Sequence, residues 1–246
     1  MGFQELMNIK ASSQNRAWRM AVRARLLVLC LLLPIAAPLF ADTPYLAPGR
    51  PDGVALLAPP PIAGSAEEAA DLAAVRAVFQ RRTEDEKVRA MKDATLSFSL
   101  FAPAIGPVFE PGKLPKTEAL LQKVKKEIGD AIDIPKDHWK RRRPYQLDEQ
   151  LSLGKPEASF GYPSGHSTRG AVYAMLLAEL FPEKREPILE IGRDIGWDRV
   201  LLGKHFPTDV YAGRVLGQAI VRELLSSPAF QHDLAEAKVE VQAARK

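Results

Sequence analysis

The sequence contains a single cysteine in 246 residues, and this scarcity excludes a fold held together by disulfide bonds. That residue, Cys30, lies in an apolar N-terminal stretch. No part of the chain shows several alternating apolar and polar runs of the kind that β-strands produce, and there is no internal repeat. The chain is therefore expected to depend on an apolar core made by helices.

A long uninterrupted apolar run is also lacking. Residues 1–41 start with a basic region, continue with the apolar stretch from Leu26 to Phe40 and end in small residues. This order is typical of an export signal, here cleaved after Ala41, and it predicts a periplasmic or secreted protein. The stretch is short for a membrane span and contains Pro34 and Pro38, so an uncleaved anchor is the minor alternative.

The full sequence has a net charge of +4, and this positive excess disappears when the predicted export signal is removed. The signal carries five of the 34 Lys and Arg residues and one of the 30 Asp and Glu residues, which leaves 29 of each in the mature chain. A net charge near zero gives no indication of a nucleic-acid partner. We likewise expect no stable membrane insertion after cleavage.

The mature chain divides into an arm and a helical part. Residues 42–64 are rich in proline and predict an extended, mostly non-regular arm. Beyond it, Ser65 with Glu68 and Thr83 with Glu86 form sequence patterns of capping boxes at helix starts. Thr117 opens another helical run, and Pro135 is predicted in the first turn of a short helix that Pro144 ends.

Three further helices follow, and they complete the predicted fold. They lie after Pro163, over residues 186–203 and over residues 207–225, the last of these being predicted as the final long helix. Its small-residue face (Ala212, Gly213, Gly217, Ala219) implies close packing, either within the subunit or across a homodimer or larger homo-oligomer. The sequence thus predicts an all-α protein, with one compact helical domain over residues 65–246 behind the arm.

The first candidate cluster is Lys136 with Arg143, which directly precedes Pro144. A spacing of seven residues is nearly two helical turns, so both cations are expected on one face of a short helix. Such a pair suits a multiply charged oxyanion. Taken alone, the same run is read more simply as a solvated basic surface.

The second cluster is Pro163-Ser164-Gly165-His166, at the start of an apolar helix. Gly165 allows a close backbone approach to a ligand, Ser164 can donate its hydroxyl or cap the helix, and His166 can exchange a proton near neutral pH. An anion is favoured at this end of a helix. The plain alternative is a capped helix with an incidental histidine.

The third cluster consists of Arg199, His205 and Asp209. Pro207 begins a helix, so the Asp209 carboxylate can reach one ring nitrogen of His205 and leave the other nitrogen free to attack an electrophile. A purely local hydrogen-bonded pair at a helix start is the alternative explanation.

Together the clusters resemble the three-part signature of the type 2 phosphatidic acid phosphatase and vanadium haloperoxidase superfamily: K-x6-R-P, then P-S-G-H, then S-R-x5-H-x3-D. The proline-rich "LLAPPP" arm, the helix after Ser65 and "KDA" at residues 92–94 are similar to bacterial class A non-specific acid phosphatases. One departure is visible, because Asp198 stands where the signature has a serine. An acid facing the site would repel phosphate, so no phosphate-binding role is transferred to Asp198.

The resemblance implies hydrolysis of small phosphomonoesters without a metal ion or other cofactor. His205 would form a phosphohistidine, Asp209 would orient it, and His166 would protonate the leaving group and then activate water. Lys136, Arg143, Ser164, Gly165 and Arg199 would hold the phosphoryl oxygens. The alternatives are a lipid or isoprenyl pyrophosphate phosphatase, a vanadate-dependent haloperoxidase, and an exported phosphate-binding protein that has lost turnover.

Overall fold

The computed structural model describes residues 43–245, and the predicted signal over residues 1–41 lies outside the described residues. The chain begins with an arm of mostly irregular structure, in which Gly53–Leu56 forms one short helix, α1. Its N-cap is Asp52, whose side chain accepts hydrogen bonds from the amides of Val54 and Ala55. Helix α1 packs against the helix Gly129–Trp139 of the helical part.

Ten α-helices follow the arm in the described part of the chain. They are α2 (Ala66–Arg81), α3 (Glu84–Asp93), α4 (Ala102–Ile105), α5 (Pro115–Glu127), α6 (Gly129–Trp139), α7 (Pro144–Leu147), α8 (Gly165–Leu180), α9 (Arg185–Leu201), α10 (Pro207–Ser226) and α11 (Pro228–Ala244). Short 3-10 segments lie between some of them, and residues 43–245 contain no strand. The predicted all-α fold is confirmed.

Helix α8 is the centre of the domain, with eleven buried residues, and it packs against α9 and α10. Glycines allow the closest of these contacts. A methyl group at Gly213 would lie 2.6 Å from the carbonyl oxygen of Ser164, and one at Gly217 would lie 2.9 Å from Cβ of Ala171. These two positions of the small-residue face therefore pack within the subunit.

Local sequence signals fixed several helix starts and missed others. Thr83 and Glu86 form a complete capping box, whereas Ser65 caps the Glu68 amide but the Glu68 carboxylate accepts from Gly64 instead. Pro135 lies inside α6 and not in a first turn, so the prediction there was wrong. Only Ile128 separates this helix from the preceding one, and no proline marks that boundary in the sequence.

The C-terminal part also differs from the prediction, because α10 is not the final long helix. Helix α11 follows it over 17 residues and is capped by the Ser227 side chain. It packs against α5, and Phe230 and Leu234 are among its buried residues. No helix within residues 43–245 combines the length and the apolar character needed to cross a lipid bilayer.

Candidate active site

His205 lies immediately before α10, and the first turn of that helix fixes its orientation. Its Nδ1 is 3.1 Å from Oδ2 of Asp209, and its Nε2 is 3.0 Å from Nη1 of Arg143. Because a guanidinium can only donate, Nε2 must accept and the proton must lie on Nδ1. The ring therefore points an unprotonated nitrogen towards Arg143.

The electrostatic surroundings of this histidine favour the neutral ring. Burial, together with nearby Arg143 and Lys136, lowers the pKa of His205 well below its usual value. Burial raises the pKa of Asp209, but Arg141 and the Phe206 amide oppose that rise. Three donors are directed at this carboxylate, from His205, Phe206 and Arg141, which is the environment of an ionised group.

Behind Asp209 lies a buried group of charges that we call the inner triad: Asp71, Arg141 and Asp209. Arg141 donates to Oδ1 of Asp209 at 2.6 Å and to Oδ2 of Asp71 at 2.8 Å. Thr208 also donates to Asp71 through its hydroxyl. The guanidinium thus separates two acids and lies over the ring of Phe206, 4.0 Å from its centre.

Lys136 and Arg143 both reach the pocket next to His205, but not from one helix face as predicted. Helix α6 ends at Trp139, and Lys140 has φ of 50°, so the chain turns before it reaches Arg143. Lys136 comes from the last turn of α6 and donates to the carbonyl of Phe160 at 2.6 Å. Arg143 donates to the carbonyls of Ser159 and Lys204, both at 2.9 Å.

A cavity of about 130 Å³ lies in front of His205. Its lining residues are Asp133, Lys136, Arg143, Glu157, Ser159, Gly165, His166, Arg169, Arg199 and His205. The dominance of cations makes it suitable for a small anion. Burial, followed by repulsion from Arg143, lowers the pKa of Lys136 to about 7.

Arg199 reaches this cavity from the last turn of α9, and its side chain is 2% exposed. Its Nη2 forms an ion pair with Glu157. Its Nε is buried and has no hydrogen-bond partner among residues 43–245. A buried guanidinium with an unused donor is costly unless a ligand completes its hydrogen bonds.

The start of α8 contributes backbone to the same cavity. Ser164 is the N-cap, and its hydroxyl accepts from the Ser167 amide at 3.3 Å. The next two amides, on Gly165 and His166, have no partner within the helix. A methyl group at Gly165 would lie 3.0 Å from Nη1 of Arg169, so a side chain there would crowd the cavity. Ser164 itself is fully buried and is not among the lining residues.

His166 faces the cavity from the second position of α8. Its Nε2 is 3.2 Å from the carbonyl oxygen of Ala94, which can only accept, so Nε2 carries the proton and Nδ1 is free to accept one. Burial, and secondarily Arg199, lowers the pKa of His166 to about 4. In this arrangement the ring is therefore neutral at mildly acidic pH.

Asp198 points away from the cavity and belongs to a second group, the outer triad: Arg89, Asp198 and Asp93. Nη2 of Arg89 donates to Asp198 at 2.8 Å. The Asp93 carboxyl hydrogen-bonds Asp198, and burial followed by this contact raises the pKa of Asp93 to about 7. The acid that departs from the signature therefore binds an arginine of α3, and it does not face an anion in the cavity.

Six of the eight site residues predicted from sequence line one cavity: Lys136, Arg143, Gly165, His166, Arg199 and His205. Asp209 lies behind His205 as expected, while Ser164 caps the helix. Sequence reasoning missed Glu157, Arg169 and Arg141. Of these three residues, only Arg141 could have been suspected from the sequence. It lies two residues before Arg143 in an irregular segment, so its side chain points in another direction than that of Arg143.

Comparisons with known proteins agree on one family. A family model described as the PAP2 superfamily matches residues 128–232. An acid phosphatase of Zymomonas mobilis is 30% identical over 203 residues, which cover 79% of this chain and 77% of that protein. A non-specific acid phosphatase of Providencia stuartii is 33% identical over 202 residues, covering 77% and 80%. A lipid A 1-phosphatase of Rhizobium etli is 39% identical over 56 residues, only 23% and 24% of the two chains.

Proposed function

The chain belongs to the bacterial non-specific acid phosphatases of the PAP2 superfamily, and we propose that it hydrolyses phosphomonoesters through a phosphohistidine on His205. That it is a phosphatase follows from this membership. The covalent mechanism is supported above all by one observation: the unprotonated Nε2 of His205 faces a cavity lined by Lys136, Arg143 and Arg199. A neutral imidazole beside several cations is a nucleophile placed where a phosphate group binds.

In the first step the Nε2 lone pair attacks phosphorus as the bond to the ester oxygen breaks. Arg143 gives up its hydrogen bond to Nε2 and donates to a phosphoryl oxygen instead. His166 transfers a proton from Nδ1 to the leaving oxygen, so an alcohol departs. The imidazolium charge on His205 is stabilised by Asp209 across the bond from Nδ1.

In the second step a water molecule attacks the phosphohistidine. His166, now neutral, accepts the proton of that water on Nδ1. The bond between phosphorus and Nε2 breaks, its electron pair returns to the ring, and orthophosphate is released. Throughout, the fixed cations stabilise the charge on the non-bridging oxygens.

The phosphoryl group is held by donors from three parts of the chain. Arg199 offers its unused Nε, and the first amides of α8, on Gly165 and His166, offer main-chain donors. Lys136 and Arg143 complete the cradle. The hydroxyl of Ser164 contributes indirectly, because capping α8 keeps these amides at the cavity.

The two histidines need opposite protonation states, and this requirement favours acidic pH. His205 must be neutral, and its lowered pKa keeps it so in acid. His166 must be protonated when the substrate is bound, and a nearby phosphoryl dianion raises its pKa from the value of about 4 in the empty cavity. We therefore expect turnover to fall as the pH rises above neutrality.

We further propose that the reaction needs no metal ion and that the mature enzyme acts outside the cytoplasm. The cradle residues supply the positive charge that a metal would otherwise bring. The export pattern of residues 1–41 supports the location. Substrates are expected to be small phosphomonoesters of varied leaving group, because the cavity surrounds the phosphoryl group and little else.

The test is hydrolysis of p-nitrophenyl phosphate between pH 4 and 8 with excess chelator, comparing the mature enzyme with His205→Ala. We expect chelator-resistant turnover that peaks in acid and disappears in the variant. A matched control is His138→Ala, since this exposed histidine does not line the cavity. Rapid quenching in alkali should also trap an acid-labile phosphate on the wild-type protein.

Turnover that persists in folded His205→Ala would contradict the assignment of the nucleophile. Turnover lost on chelation and restored by a divalent cation would contradict the metal-free mechanism. A lipid substrate is the second candidate, favoured by the short match to lipid A 1-phosphatase. A kcat/KM at least about tenfold higher for a micellar phospholipid monoester than for p-nitrophenyl phosphate would select it.

A further inference from the structure

The cavity contains an acidic side chain in direct contact with one of its cations. Glu157 pairs with Nη2 of Arg199, and the carboxylate side chain is 33% exposed. It lies beside the same two histidines that line the cavity. The unused Nε and Nη2 lie on one edge of the guanidinium, so a phosphoryl group that binds both nitrogens must displace the carboxylate from Nη2.

Glu157 is carried by a segment that can release it. Residues 152–164 have no helix and most are exposed. The Glu157 amide donates to the hydroxyl of Tyr145 at 3.0 Å, and the carbonyl of Lys155 accepts from Nζ of Lys204 at 2.8 Å. These bonds involve the main chain and hold the segment in place, whereas the Glu157 side chain is 33% exposed and so has solvent on one side.

Charge balance gives a reason for the contact between Glu157 and Arg199. Four cations line the cavity (Lys136, Arg143, Arg169, Arg199) and only Asp133 and Glu157 oppose them. Leaving buried Arg199 without a counter-ion would be costly. When a phosphoryl dianion enters, it supplies that charge, and the Glu157 carboxylate becomes a source of repulsion.

We propose that Glu157 is an internal competitor for phosphate: its carboxylate occupies Arg199 in the free enzyme, the phosphoryl group of the substrate displaces it, and its return helps to expel orthophosphate. This inference rests on the proposed function only in taking the cavity as the phosphate site. The opposite possibility is that Glu157 is a positioning residue, which holds Arg199 in the orientation that binds phosphate. The two roles predict opposite changes when the carboxylate is removed.

Glu157→Gln and Glu157→Ala test the inference, with the dissociation constant of orthophosphate measured by calorimetry at pH 6. Both variants should bind orthophosphate roughly tenfold more tightly, the scale of one close charge pair. The KM for p-nitrophenyl phosphate and the inhibition constant of vanadate should fall by a similar factor, because the competitor acts before any bond changes. The control Glu149→Gln removes the same charge from an exposed site outside the cavity and should leave all three constants unchanged.

Weaker orthophosphate binding in both variants would overturn the proposal in favour of a positioning role. Unchanged binding in folded variants, or the same change in Glu149→Gln, would overturn it as well. Since binding is measured without turnover, this failure is distinct from failure of the mechanism. If the His205→Ala variant still turned over, the assignment of the nucleophile would be wrong. That result would not depend on how Glu157 affects the affinity for phosphate.

Discussion

The inner and outer triads contain the same three side chains, two aspartates and one arginine, yet they are connected in different orders. In the inner triad Arg141 lies between Asp71 and Asp209 and binds each with a separate nitrogen. In the outer triad Arg89 binds only Asp198, and Asp93 contacts Asp198 directly. Arg141 is 3% exposed, whereas Arg89 is 41% exposed.

The order determines how the acids titrate. A guanidinium between two carboxylates gives each of them a positive neighbour, and Arg141 thereby opposes the rise that burial causes in the pKa of Asp209. This suits Asp209 as the partner of His205, which becomes a cation in the proposed mechanism. Two acids in contact cannot both ionise easily, so they retain a proton towards neutral pH. We therefore expect the inner triad to support the charge of the proposed nucleophile, His205, and the outer triad to make the free energy of unfolding depend on pH.

The largest difference between the triads is expected when one aspartate of each, Asp209 or Asp198, is replaced by asparagine. Asp209→Asn should lower kcat by about 10²–10⁴, because an amide favours the wrong ring tautomer of His205. Asp198→Asn should change kcat by less than about threefold, since Asp198 does not reach the cavity. Steady-state kinetics on p-nitrophenyl phosphate measure both.

Circular dichroism and thermal melts would establish that each variant is folded. Equal losses of kcat in Asp209→Asn and Asp198→Asn would show that the two triads support catalysis alike. Their different connections would then have no functional meaning.

Replacing the arginine of each triad should separate them next. Arg141→Met leaves Asp71 and Asp209 buried without their cation and should lower the free energy of unfolding by about 3–5 kcal/mol. Arg89→Met removes a guanidinium that is 41% exposed from a buried aspartate, Asp198. Because the pKa of Asp198 is raised by burial, this acid can take up a proton in place of the ion pair, and the cost should be smaller, about 1–2 kcal/mol. Urea denaturation at pH 6 measures both, and a similar loss in the two variants would contradict the distinction between them.

The smallest expected effect concerns the shared proton of the outer triad. The pKa of Asp93 is raised in the folded state, so between about 4 and 7 the folded chain binds more protons than the unfolded chain. The free energy of unfolding should therefore fall as the pH rises through this window. Asp93→Asn should remove about 1–2 kcal/mol of the change between pH 5 and 8, after allowance for partial solvent screening.

Urea denaturation at the two pH values gives the slope for each protein. Asp85→Asn, at an exposed position of the same helix, is the control and should keep the wild-type slope. A wild-type slope in Asp93→Asn would mean that another group carries the pH dependence.

The sequence predicted much of the site because its signals are local. His205 and Asp209 are four residues apart at a helix start that Pro207 marks, so their contact follows from helix geometry. Helix α8 was predicted from its cap and its apolar run in the same way. Chain turns were harder: Lys136 and Arg143 converge through a left-handed residue, Lys140, and not through a shared face.

What the sequence could not supply depends on contacts between distant segments. Arg141 acts by joining Asp71, 70 residues earlier, to Asp209, 68 residues later. Asp198 could have faced the anion or turned away, and only its pairing with Arg89 decides between these. Glu157 lies in an irregular segment, where no periodicity indicates the direction of a side chain.

The hydrogen bond from His166 to the Ala94 carbonyl has a consequence for chimeras made from this protein and a relative. The segment that defines the family, residues 128–232, includes both histidines, but each is supported from outside it. Ala94 holds His166, and Asp71 holds Arg141 behind His205. Exchanging the preceding helices with those of a relative is therefore expected to disturb the support of both histidines without altering a signature residue. A segment that is to carry this site into another protein must therefore include the helices that precede the signature residues.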